Sequence, residues 1–226
     1  MEKAQAAVPA QKSRSGAFQE NIKTAKKAAR ANARLLLKGL SAAERENQSQ
    51  KAAASFLNSS IYKSAECVAA FFSLADEVDV FPIIVRAFID KKRVLLPRIV
   101  AGSNAMDFYE LAAPVLGLQS LASALGSQTE ANAWGIREPL ATLPLVSKEK
   151  IPARTAILVP GLAFCKDGRR LGRGKGFYDR YLSELVAQNA AFAERGKICG
   201  YCMAVQVADT VPTEENDVRV QELFCG

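Results

Sequence analysis

Residues 159–182 read VPGLAFCKDGRRLGRGKGFYDRYL and hold the densest structural information in the chain. The apolar residues from Thr155 to Phe164 predict a buried central strand, and those from Phe177 to Phe192 predict a helix. Between these two elements, three glycines alternate with Arg173 and Lys175. Glycine amides can approach a phosphate closely, and the N-terminus of the next helix favours the same anion. We therefore expect a phosphate-binding loop at the carboxyl end of a parallel strand.

The loop departs from both common phosphate-binding patterns. A P-loop needs a glycine five residues before Gly174, and Arg169 stands there. It also needs a Ser or Thr after Lys175, and Gly176 follows it. A dinucleotide-binding fingerprint needs a third glycine where Phe177 stands. On composition alone, a basic glycine turn on a solvated surface therefore stays open as the alternative.

The rest of the chain alternates helical patterns with short apolar segments. Helices are expected at 18–38, after the capping box from Ser41 to Glu44 as far as Asn58, and after Asp79. Further strands are expected at 66–72, 93–97, 107–111, 198–207 and 219–224. This alternation is typical of an α/β fold with a mostly parallel sheet flanked by helices. We expect a disordered tail at residues 1–16 and a single catalytic α/β domain at 17–226.

The composition restricts the classes of function. The formal charge is +7, but residues 1–40 hold nine Lys or Arg and two acids, while the rest of the chain holds 21 of each. The fold itself is therefore not expected to bind polyanions in general. Histidine is absent, which excludes Ser-His-Asp and Cys-His catalysis and a His-rich zinc site. No apolar segment approaches the ~20 residues of a membrane-spanning helix.

The cysteines indicate a reduced protein. They are odd in number, which argues against a disulfide framework: Cys67, Cys165, Cys199, Cys202 and Cys225. Cys199-Gly200-Tyr201-Cys202 has the spacing of a redox dithiol. In redox dithiols the first cysteine begins a helix, whereas here an apolar strand continues, so we expect a structural role.

The ordered motifs of the chain resemble the 5-formyltetrahydrofolate cyclo-ligase family, also called methenyltetrahydrofolate synthetases. The resemblance rests first on VPGLAF at 159–164 and RLGRGKGFYD at 170–179. Other segments follow in the family's order: LSAAER at 40–45, FSLADEV at 72–78, LPR at 96–98, MDF at 106–108, WGIREP at 134–139 and PTEEND at 212–217. Together they cover roughly residues 20–224.

The resemblance implies an enzyme that uses ATP and a divalent metal to convert 5-formyltetrahydrofolate to 5,10-methenyltetrahydrofolate, with release of ADP and phosphate. The formyl oxygen is a poor leaving group. Transfer of the γ-phosphoryl group to it lets N10 of the folate close the ring and expel phosphate. The protein then has mainly to align that oxygen with ATP and to neutralise charge. The implied fold is the three-layer α/β arrangement of phosphosugar isomerases and CoA transferases.

The resemblance assigns ATP to a basic helix face and to the glycine loop. Lys26 and Arg30 lie four residues apart, so both cations can reach one nucleotide. The expected catalytic residues are Arg173 and Lys175, which would stabilise the γ-phosphate. The expected ATP-binding residues are Lys26, Lys27, Arg30, Arg170, Leu171, Gly172, Arg173, Gly174, Lys175, Gly176, Phe177 and Tyr178.

The resemblance also assigns metal-binding and folate-binding residues. Asp179 and Asp217 carry over as the Mg²⁺ carboxylates, because Mg²⁺ is held by one or two carboxylates together with phosphate oxygens. Phe72 and Trp134 would form aromatic walls around the pterin, and Glu77 would accept its N–H donors. Loop residues are expected to contact the folate as well: Arg173, Gly174, Lys175, Gly176 and Phe177.

Three positions depart from the family's pattern. Cys165 stands where Asp is common, Phe177 where Tyr is usual, and Asn216 where many bacterial members have His. All three leave the loop cations and the two aspartates intact. They therefore bear on rate and affinity rather than on the class of reaction.

The expected partners are ATP and 5-formyltetrahydrofolate, with its polyglutamates as an open extension. We expect no nucleic acid, no membrane and a monomer in the cytoplasm, with a mitochondrial location as the alternative. Three other functions stay open. The basic N-terminal segment could serve a nucleic-acid-associated protein, the loop could serve a sugar-phosphate isomerase-like or CoA-transferase-like relative, and the site could belong to a folate-binding regulator without catalysis.

Overall fold

A computed structural model describes residues 12–113, 121–132 and 135–226, where helices cover both faces of one large sheet. No helix within these residues is both long and apolar enough to cross a bilayer. The helices are α1 (Lys12–Lys38), α2 (Ala42–Asn58), α3 (Ser60–Ser64), α4 (Phe81–Ile89), α5 (Leu121–Ser127), α6 (Phe177–Gln188) and α7 (Ala190–Arg195).

The strands form one sheet of seven and two short hairpins. Their bounds are β1 (Cys67–Ala69), β2 (Arg93–Ile99), β3 (Met106–Glu110), β4 (Thr129–Ala131), β5 (Arg137–Pro139), β6 (Leu145–Val146), β7 (Thr155–Val159), β8 (Ala163–Phe164), β9 (Arg170–Leu171), β10 (Lys197–Cys202) and β11 (Glu222–Cys225). The sheet has the order β11-β10-β7-β1-β2-β3-β6. Pairing is parallel from β11 to β2 and antiparallel for β3 and β6. The predicted mostly parallel sheet is confirmed.

Alternation along the central strands sends side chains into two separate cores. On β7, Ala156 and Leu158 join one core, and Ile157 and Val159 join the other. The first core receives apolar residues of α1, α2 and α4, and the second receives those of α6 and α7. Because both faces of the central strands are covered, every residue of β7 is buried. The fold is therefore a three-layer α/β arrangement, as predicted.

The local signals for the helix ends are borne out. The Ser41 hydroxyl accepts from the Glu44 amide at 3.2 Å, and the Glu44 carboxylate accepts from the Ser41 amide at 2.8 Å. This reciprocal capping box begins α2. At the start of α4 the N-cap is Val80 rather than the predicted Asp79, although the Asp79 side chain accepts from the Phe81 amide at 2.9 Å. Helix α1 begins at Lys12, inside the segment predicted as a tail, and the prediction for residues 1–11 concerns residues outside the described ones.

The predicted strand from Thr155 to Phe164 is wrong in its second half. Strand β7 ends at Val159, because Pro160 has no amide to donate to a ladder. The chain then turns back, and β8 pairs antiparallel with β9. The turn is close: a Cβ on Gly161 would lie 2.8 Å from the Phe164 ring. The glycine loop at 172–176 is thus preceded by a hairpin rather than attached directly to the central strand.

The strands predicted at 66–72 and 219–224 are shorter in the structure, as β1 and β11. Two further predicted elements are ended early by a side-chain amide. The helix from 177 to 192 divides at Asn189, whose side chain accepts from the Phe192 amide at 2.9 Å and begins α7. The strand from 198 to 207 ends at Cys202, because the Gln206 side chain accepts from the Met203 amide at 2.8 Å and fixes a 3₁₀ turn. In both cases a side-chain amide ends the element by satisfying a backbone donor.

Parallel strands bring the segments of the site to one edge of the sheet. Strands β1, β2 and β7 are neighbours that run in the same direction. Their carboxyl ends are followed or formed by Phe72, Ile99 and Pro160, and all three residues line one cavity. Ligands of open α/β sheets bind at this edge.

Candidate functional site

The cavity at the carboxyl edge of the sheet has a volume of about 640 Å³. Its lining includes a charged set and an apolar set of residues. The charged lining consists of Lys23, Lys26, Arg30, Glu77, Arg170, Arg173, Lys175, Asp179, Glu214 and Asp217, together with the loop glycines. The apolar lining consists of Phe71, Phe72, Leu74, Pro97, Ile99, Met106 and Ile136, and two charged residues, Arg137 and Glu138, lie among it.

The glycine loop adopts backbone conformations that suit glycine. Gly174 has φ +109° and Gly176 has φ +69°. Residues that carry a side chain rarely adopt these positive φ angles, so the backbone conformation favours glycine at both positions. Gly176 is also the N-cap of α6 and offers no side chain to the first amides of that helix. The helix N-terminus therefore opens towards the cavity with donors available to an anion.

Helix α1 contributes cations to the charged lining from one face. Lys26 is only 6% exposed, and its Nζ lies 2.6 Å from Asp217 Oδ2 and 3.0 Å from Glu214 Oε2. Arg30 donates through Nε to the Gly172 carbonyl at 3.0 Å, which ties the helix to the loop. Lys23, one turn earlier, lines the same cavity.

Arg170 connects the hairpin to the start of α6. Its Nη2 donates to Asp179 Oδ1 at 2.6 Å, and its Nη1 donates to the Pro160 carbonyl at 3.2 Å. The guanidinium lies 5.8 Å from the centre of the Tyr178 ring. The Arg170 side chain is only 4% exposed, so its charge is compensated by Asp179 inside the protein rather than by solvent.

Arg173 joins the loop to the segment after β1. It donates through Nε to Glu77 Oε1 at 3.0 Å and through Nη2 to Asp76 Oδ1 at 2.6 Å. The other oxygen of Glu77 accepts from the Leu74 amide at 3.0 Å. Burial raises the pKa of Glu77, and the charge of Arg173 opposes that shift only in part. Each oxygen of Glu77 thus accepts one hydrogen bond from the protein, Oε1 from Arg173 and Oε2 from the Leu74 amide.

Lys175 differs from the neighbouring cations. It makes no ion pair within the described residues, whereas Arg170 and Arg173 each pair with carboxylates. Its backbone carbonyl accepts from Arg180 Nη2 at 2.7 Å, which fixes the chain just before α6. Its side chain is exposed and lines the cavity. The amino group is thus available to an anion without the loss of an internal contact.

Tyr178 lies at the boundary of the two linings. Its hydroxyl is buried and has no hydrogen-bond partner within the described residues. Burial raises the pKa of the phenol well above its ordinary value, and the nearby Glu77 carboxylate adds to the shift. The phenol therefore stays neutral and keeps a proton to donate.

Glu138 is a buried acid in the apolar lining and is 5% exposed. Its Oε1 accepts from the Ile99 amide at 3.1 Å and from Asn132 Nδ2 at 2.9 Å. The two nearby arginines bind other groups. Arg137, the preceding residue, donates to Thr129, and Arg98 on β2 donates to Glu130 and to the Pro139 carbonyl. No cation of the described residues pairs with this carboxylate.

Asp179 and Asp217 offer a donor set that fits a hard cation. Asp179 Oδ1 also accepts from the amide of Val218, so the two carboxylates belong to adjoining segments. Each uses one oxygen in hydrogen bonds to the described residues and keeps the other, Oδ2 of Asp179 and Oδ1 of Asp217. No group of three acidic, Cys or His side chains suited to a metal occurs within those residues. Two carboxylate oxygens completed by phosphate and water are the ligand set that Mg²⁺ takes at nucleotide sites.

The structure brings most of the predicted site residues to one cavity. Lys27 is the exception: it is exposed on α1 and does not line the cavity. Trp134 lies outside the described residues, so its predicted role stays a prediction. The departing residue Cys165 does not line the cavity and packs in a small apolar cluster with Leu171 and Val211. Phe177 lines the cavity, as predicted.

Sequence reasoning missed four charged residues of the cavity: Lys23, Arg137, Glu138 and Glu214. Lys23 follows from the helix period, because it precedes Lys26 by one turn on the same face. Glu214 belongs to the quoted segment 212–217, and its spacing of three from Asp217 could have indicated a pair. Arg137 and Glu138 belong to the quoted segment 134–139, but nothing in that segment indicates that Glu138 accepts from the Ile99 amide, 39 residues earlier in the chain.

The two cysteines of the Cys199–Cys202 segment lie on opposite faces of β10. Cys199 packs in the core with α2, and Cys202 packs in the core with α6. Burial raises the pKa of Cys199 to about 12 and raises that of Cys202 as well, so neither thiol ionises readily. All five cysteines are free, and the predicted structural role of this pair is confirmed.

The fold and the site define an α/β protein that joins a basic glycine loop to an apolar pocket at the carboxyl edge of its sheet. A family model described as the 5-formyltetrahydrofolate cyclo-ligase family matches residues 22–226. The chain therefore belongs to the 5-formyltetrahydrofolate cyclo-ligase family, which is a family of ligase enzymes. The resemblance seen in the sequence is confirmed over nearly the whole chain.

Individual relatives support this assignment. The 5-formyltetrahydrofolate cyclo-ligase of Mus musculus is 32% identical over 207 residues, which cover 90% of this chain and 94% of the relative. A probable 5-formyltetrahydrofolate cyclo-ligase of Caenorhabditis elegans is 29% identical and covers 90% and 93%. The solved 5,10-methenyltetrahydrofolate synthetase of Aquifex aeolicus has a TM-score of 0.66 at 27% identity over 88% of both chains. The Mycoplasma pneumoniae synthetase, at 20% identity and a TM-score of 0.62, supports the fold alone.

Proposed function

We propose that this protein converts 5-formyltetrahydrofolate to 5,10-methenyltetrahydrofolate in a reaction that consumes ATP in the presence of Mg²⁺. The observation that carries the proposal is a single cavity in which Lys175 and the loop glycines meet an apolar wall around Phe72. A polyphosphate needs the first feature, and a pterin ring needs the second. Membership of the cyclo-ligase family supports the same substrate.

The proposed reaction has two chemical steps. The formyl oxygen attacks the γ-phosphorus, the bond to the bridging oxygen breaks, and ADP leaves. The product is an iminium phosphate on N5. N10 then attacks the activated carbon and loses its proton, and the carbon–oxygen bond breaks to release phosphate. The methenyl bridge between N5 and N10 remains.

The residues of the loop would do most of their work on the nucleotide. Lys175 would stabilise charge on the γ-phosphate, because its amino group is not held by an ion pair. Amides of the loop and of the α6 N-terminus would hold the phosphate oxygens. Lys26 and Arg30 would bind the same nucleotide from α1. Such groups act by positioning and by electrostatic stabilisation.

Arg173 would act at the junction of the two substrates. Its guanidinium is held by Asp76 and Glu77, and it lines the cavity between the loop and the segment after β1. This position suits a group that orients the formyl oxygen towards the γ-phosphate. Phe72 would pack against the folate ring from the same side.

Asp179 and Asp217 would hold the Mg²⁺ ion through the oxygens that make no hydrogen bond within the described residues. When bound, the ion would supply positive charge to phosphate oxygens. Lys26 and Arg170 now balance the charge of these two carboxylates. Both cations line the same cavity, so each would also be within reach of the phosphate oxygens of a bound nucleotide. A monomeric state, a cytoplasmic location and action on polyglutamates stay predictions.

A direct assay tests the proposal. The purified protein is mixed with 5-formyltetrahydrofolate, ATP and Mg²⁺, and the absorbance of the methenyl product is followed beside the release of ADP. We expect one ADP for each methenyl group formed and no product when ATP is left out. Absence of ATP-dependent product at high enzyme concentration would refute the function. Folate binding without turnover would instead support a folate-binding regulator.

A further inference from the structure

Glu138 is the one carboxylate of the cavity lining that has neither a cation nor a full set of hydrogen bonds within the described residues. It is 95% buried at the wall formed by the end of β2 and by β5. Its Oε1 receives two donors, the Ile99 amide and Asn132 Nδ2. Its Oε2 receives none, and the residue lines the cavity.

An isolated buried carboxylate costs free energy unless donors compensate for its lost water. Ile99, Met106 and Ile136 share this lining, and the neighbouring cation Arg137, which also lines the cavity, donates to Thr129 instead. Ile99 and Met106 pair across β2 and β3 in the wall beside the carboxylate. No described residue donates to the remaining oxygen, so its donors come from the contents of the cavity, which are water or a bound ligand.

Glu77 is less suited to that role, although it was the predicted acceptor. Its Oε1 accepts from Arg173 and its Oε2 accepts from the Leu74 amide. A ligand that used Glu77 would have to displace one of these donors or share an oxygen with it. A carboxylate oxygen has two lone pairs, so Glu138 Oε2 can accept two donors without such a loss.

We propose that Glu138 sets the specificity for the folate ring by accepting hydrogen bonds from its N3–H and 2-amino group. These two N–H groups lie side by side on the ring edge, so both can reach one oxygen. This inference rests on the proposed function, because it names the group that recognises the substrate of that site. It assigns Glu77 the separate task of holding Arg173.

The proposed role can be tested with Glu138→Gln and a modified ligand. The inner donors fix the new side chain, because only its oxygen can face the Ile99 amide and Asn132 Nδ2. The cavity then meets an NH₂ donor in place of Oε2. The probes are 5-formyltetrahydrofolate and an analogue in which methyl replaces the 2-amino group, and binding of both is measured by calorimetry without ATP.

We expect the wild type to bind 5-formyltetrahydrofolate about 10- to 100-fold more tightly than the analogue, the range of a hydrogen bond to a charged group. Glu138→Gln should lose most of that preference, while the KM for ATP changes by less than about twofold. Glu130→Gln is the matched control, because Glu130 lies on the adjacent β4, pairs with Arg98 and does not line the cavity. It should keep the wild-type preference.

The failures of the two proposals are distinguishable. A wild type that neither binds nor converts the folate would refute the proposed function. A wild type that converts the folate but binds the analogue equally well would overturn the role of Glu138, and this measurement needs no variant. An unchanged preference in a folded Glu138→Gln would overturn it as well. A thermal unfolding scan of the variant without ligand establishes that it is folded.

Discussion

The charged lining and the apolar lining of the cavity treat their carboxylates in opposite ways. In the charged lining, the carboxylates are paired with cations: Lys26 with Asp217 and Glu214, Arg170 with Asp179, and Arg173 with Glu77. In the apolar lining, Glu138 has no cation within the described residues. The carboxylates of the charged lining are thus paired from within, and the apolar lining leaves one carboxylate oxygen, Glu138 Oε2, for a ligand to satisfy.

This difference separates two modes of binding. To bind, a nucleotide or a metal must replace one partner in an ion pair that already exists. The new contact offsets only part of the free energy that is lost with the old one. A folate ring needs no exchange, because Glu138 Oε2 accepts no hydrogen bond from the part of the chain that the structure describes. We therefore expect substitutions in the charged lining to alter rate and metal binding, and substitutions in the apolar lining to alter folate affinity.

Lys175→Ala should produce the largest effect. The Lys175 amino group has no internal ion pair, so its charge is available to the γ-phosphate as negative charge develops there. Loss of one group of this kind typically lowers kcat by about 10²- to 10³-fold. Folate binding, measured by calorimetry, should change by less than about twofold.

Lys27→Ala is the matched control for that experiment, because Lys27 is exposed on α1 and lies outside the cavity lining. Its kcat should equal that of the wild type. Equal losses of turnover and of folate affinity in Lys175→Ala would contradict a role in phosphoryl transfer.

Lys26→Met should give the next largest effect: it should weaken the binding of ATP and strengthen the binding of Mg²⁺. Loss of the cation should raise the KM for ATP by about 30-fold, the equivalent of about 2 kcal/mol. It should also remove the positive charge that Lys26 places 2.6 Å from Asp217 Oδ2, so the affinity for Mg²⁺ without nucleotide should rise. Calorimetric titration with Mg²⁺ measures the second effect.

Lys23→Met is the control that removes a cation from the same cavity without breaking an ion pair with Asp217. Lys23 lines the same cavity from the same helix and makes no ion pair within the described residues. Its substitution should weaken ATP binding slightly and leave Mg²⁺ affinity unchanged. Equal gains in Mg²⁺ affinity for both variants would mean that Lys26 does not compete with the metal.

The parts of the site that could be predicted from the sequence are those with local spacing. Lys26 and Arg30 follow a helix period, and the glycines of the loop require backbone conformations that the structure shows at Gly174 and Gly176. The capping box of α2 was equally local. In each case one short segment carries both the signal and its physical cause.

The parts that could not be predicted depend on contacts between distant segments. Pairing of β8 with β9 depends on the close approach of Gly161 to Phe164, which no periodicity reveals. The isolation of Glu138 depends on the Ile99 amide, 39 residues earlier in the chain. Burial and partner choice are set by the assembled fold, so a lone acid in a loop looks the same whether it is solvated or enclosed.

Phe72→Ala tests the apolar lining and should have a smaller effect than the two lysine substitutions have on their ligands. Removal of a ring that packs against the folate should cost about 1.5 kcal/mol of binding, or roughly a tenfold rise in the KM for 5-formyltetrahydrofolate. The KM for ATP should stay the same. Phe72→Leu is the control, because it keeps most of the apolar surface. A larger change in the KM for ATP than for folate would show that the two linings do not divide the substrates as proposed.

Glu77→Gln should give the smallest effect, and its sign depends on pH. Because burial raises the pKa of Glu77 above its ordinary value of 4.5, the unfolded chain ionises this group before the folded protein does. Wild-type stability from this group is therefore complete below 4.5 and is lost as pH rises through the folded pKa. The neutral amide escapes that loss, so the free energy of unfolding of Glu77→Gln should rise relative to the wild type over this window and then level off. Loss of the ion pair with Arg173 shifts the whole plot of this stability difference against pH, whereas the slope of the plot reports the burial of the acid. Urea unfolding at a series of pH values measures the difference, with the exposed Glu215→Gln as the control for the removal of one acid. If the stability of Glu77→Gln relative to the wild type instead falls with rising pH, Arg173 stabilises the ionised carboxylate by more than burial destabilises it. Glu77 would then behave like the other paired acids of the charged lining.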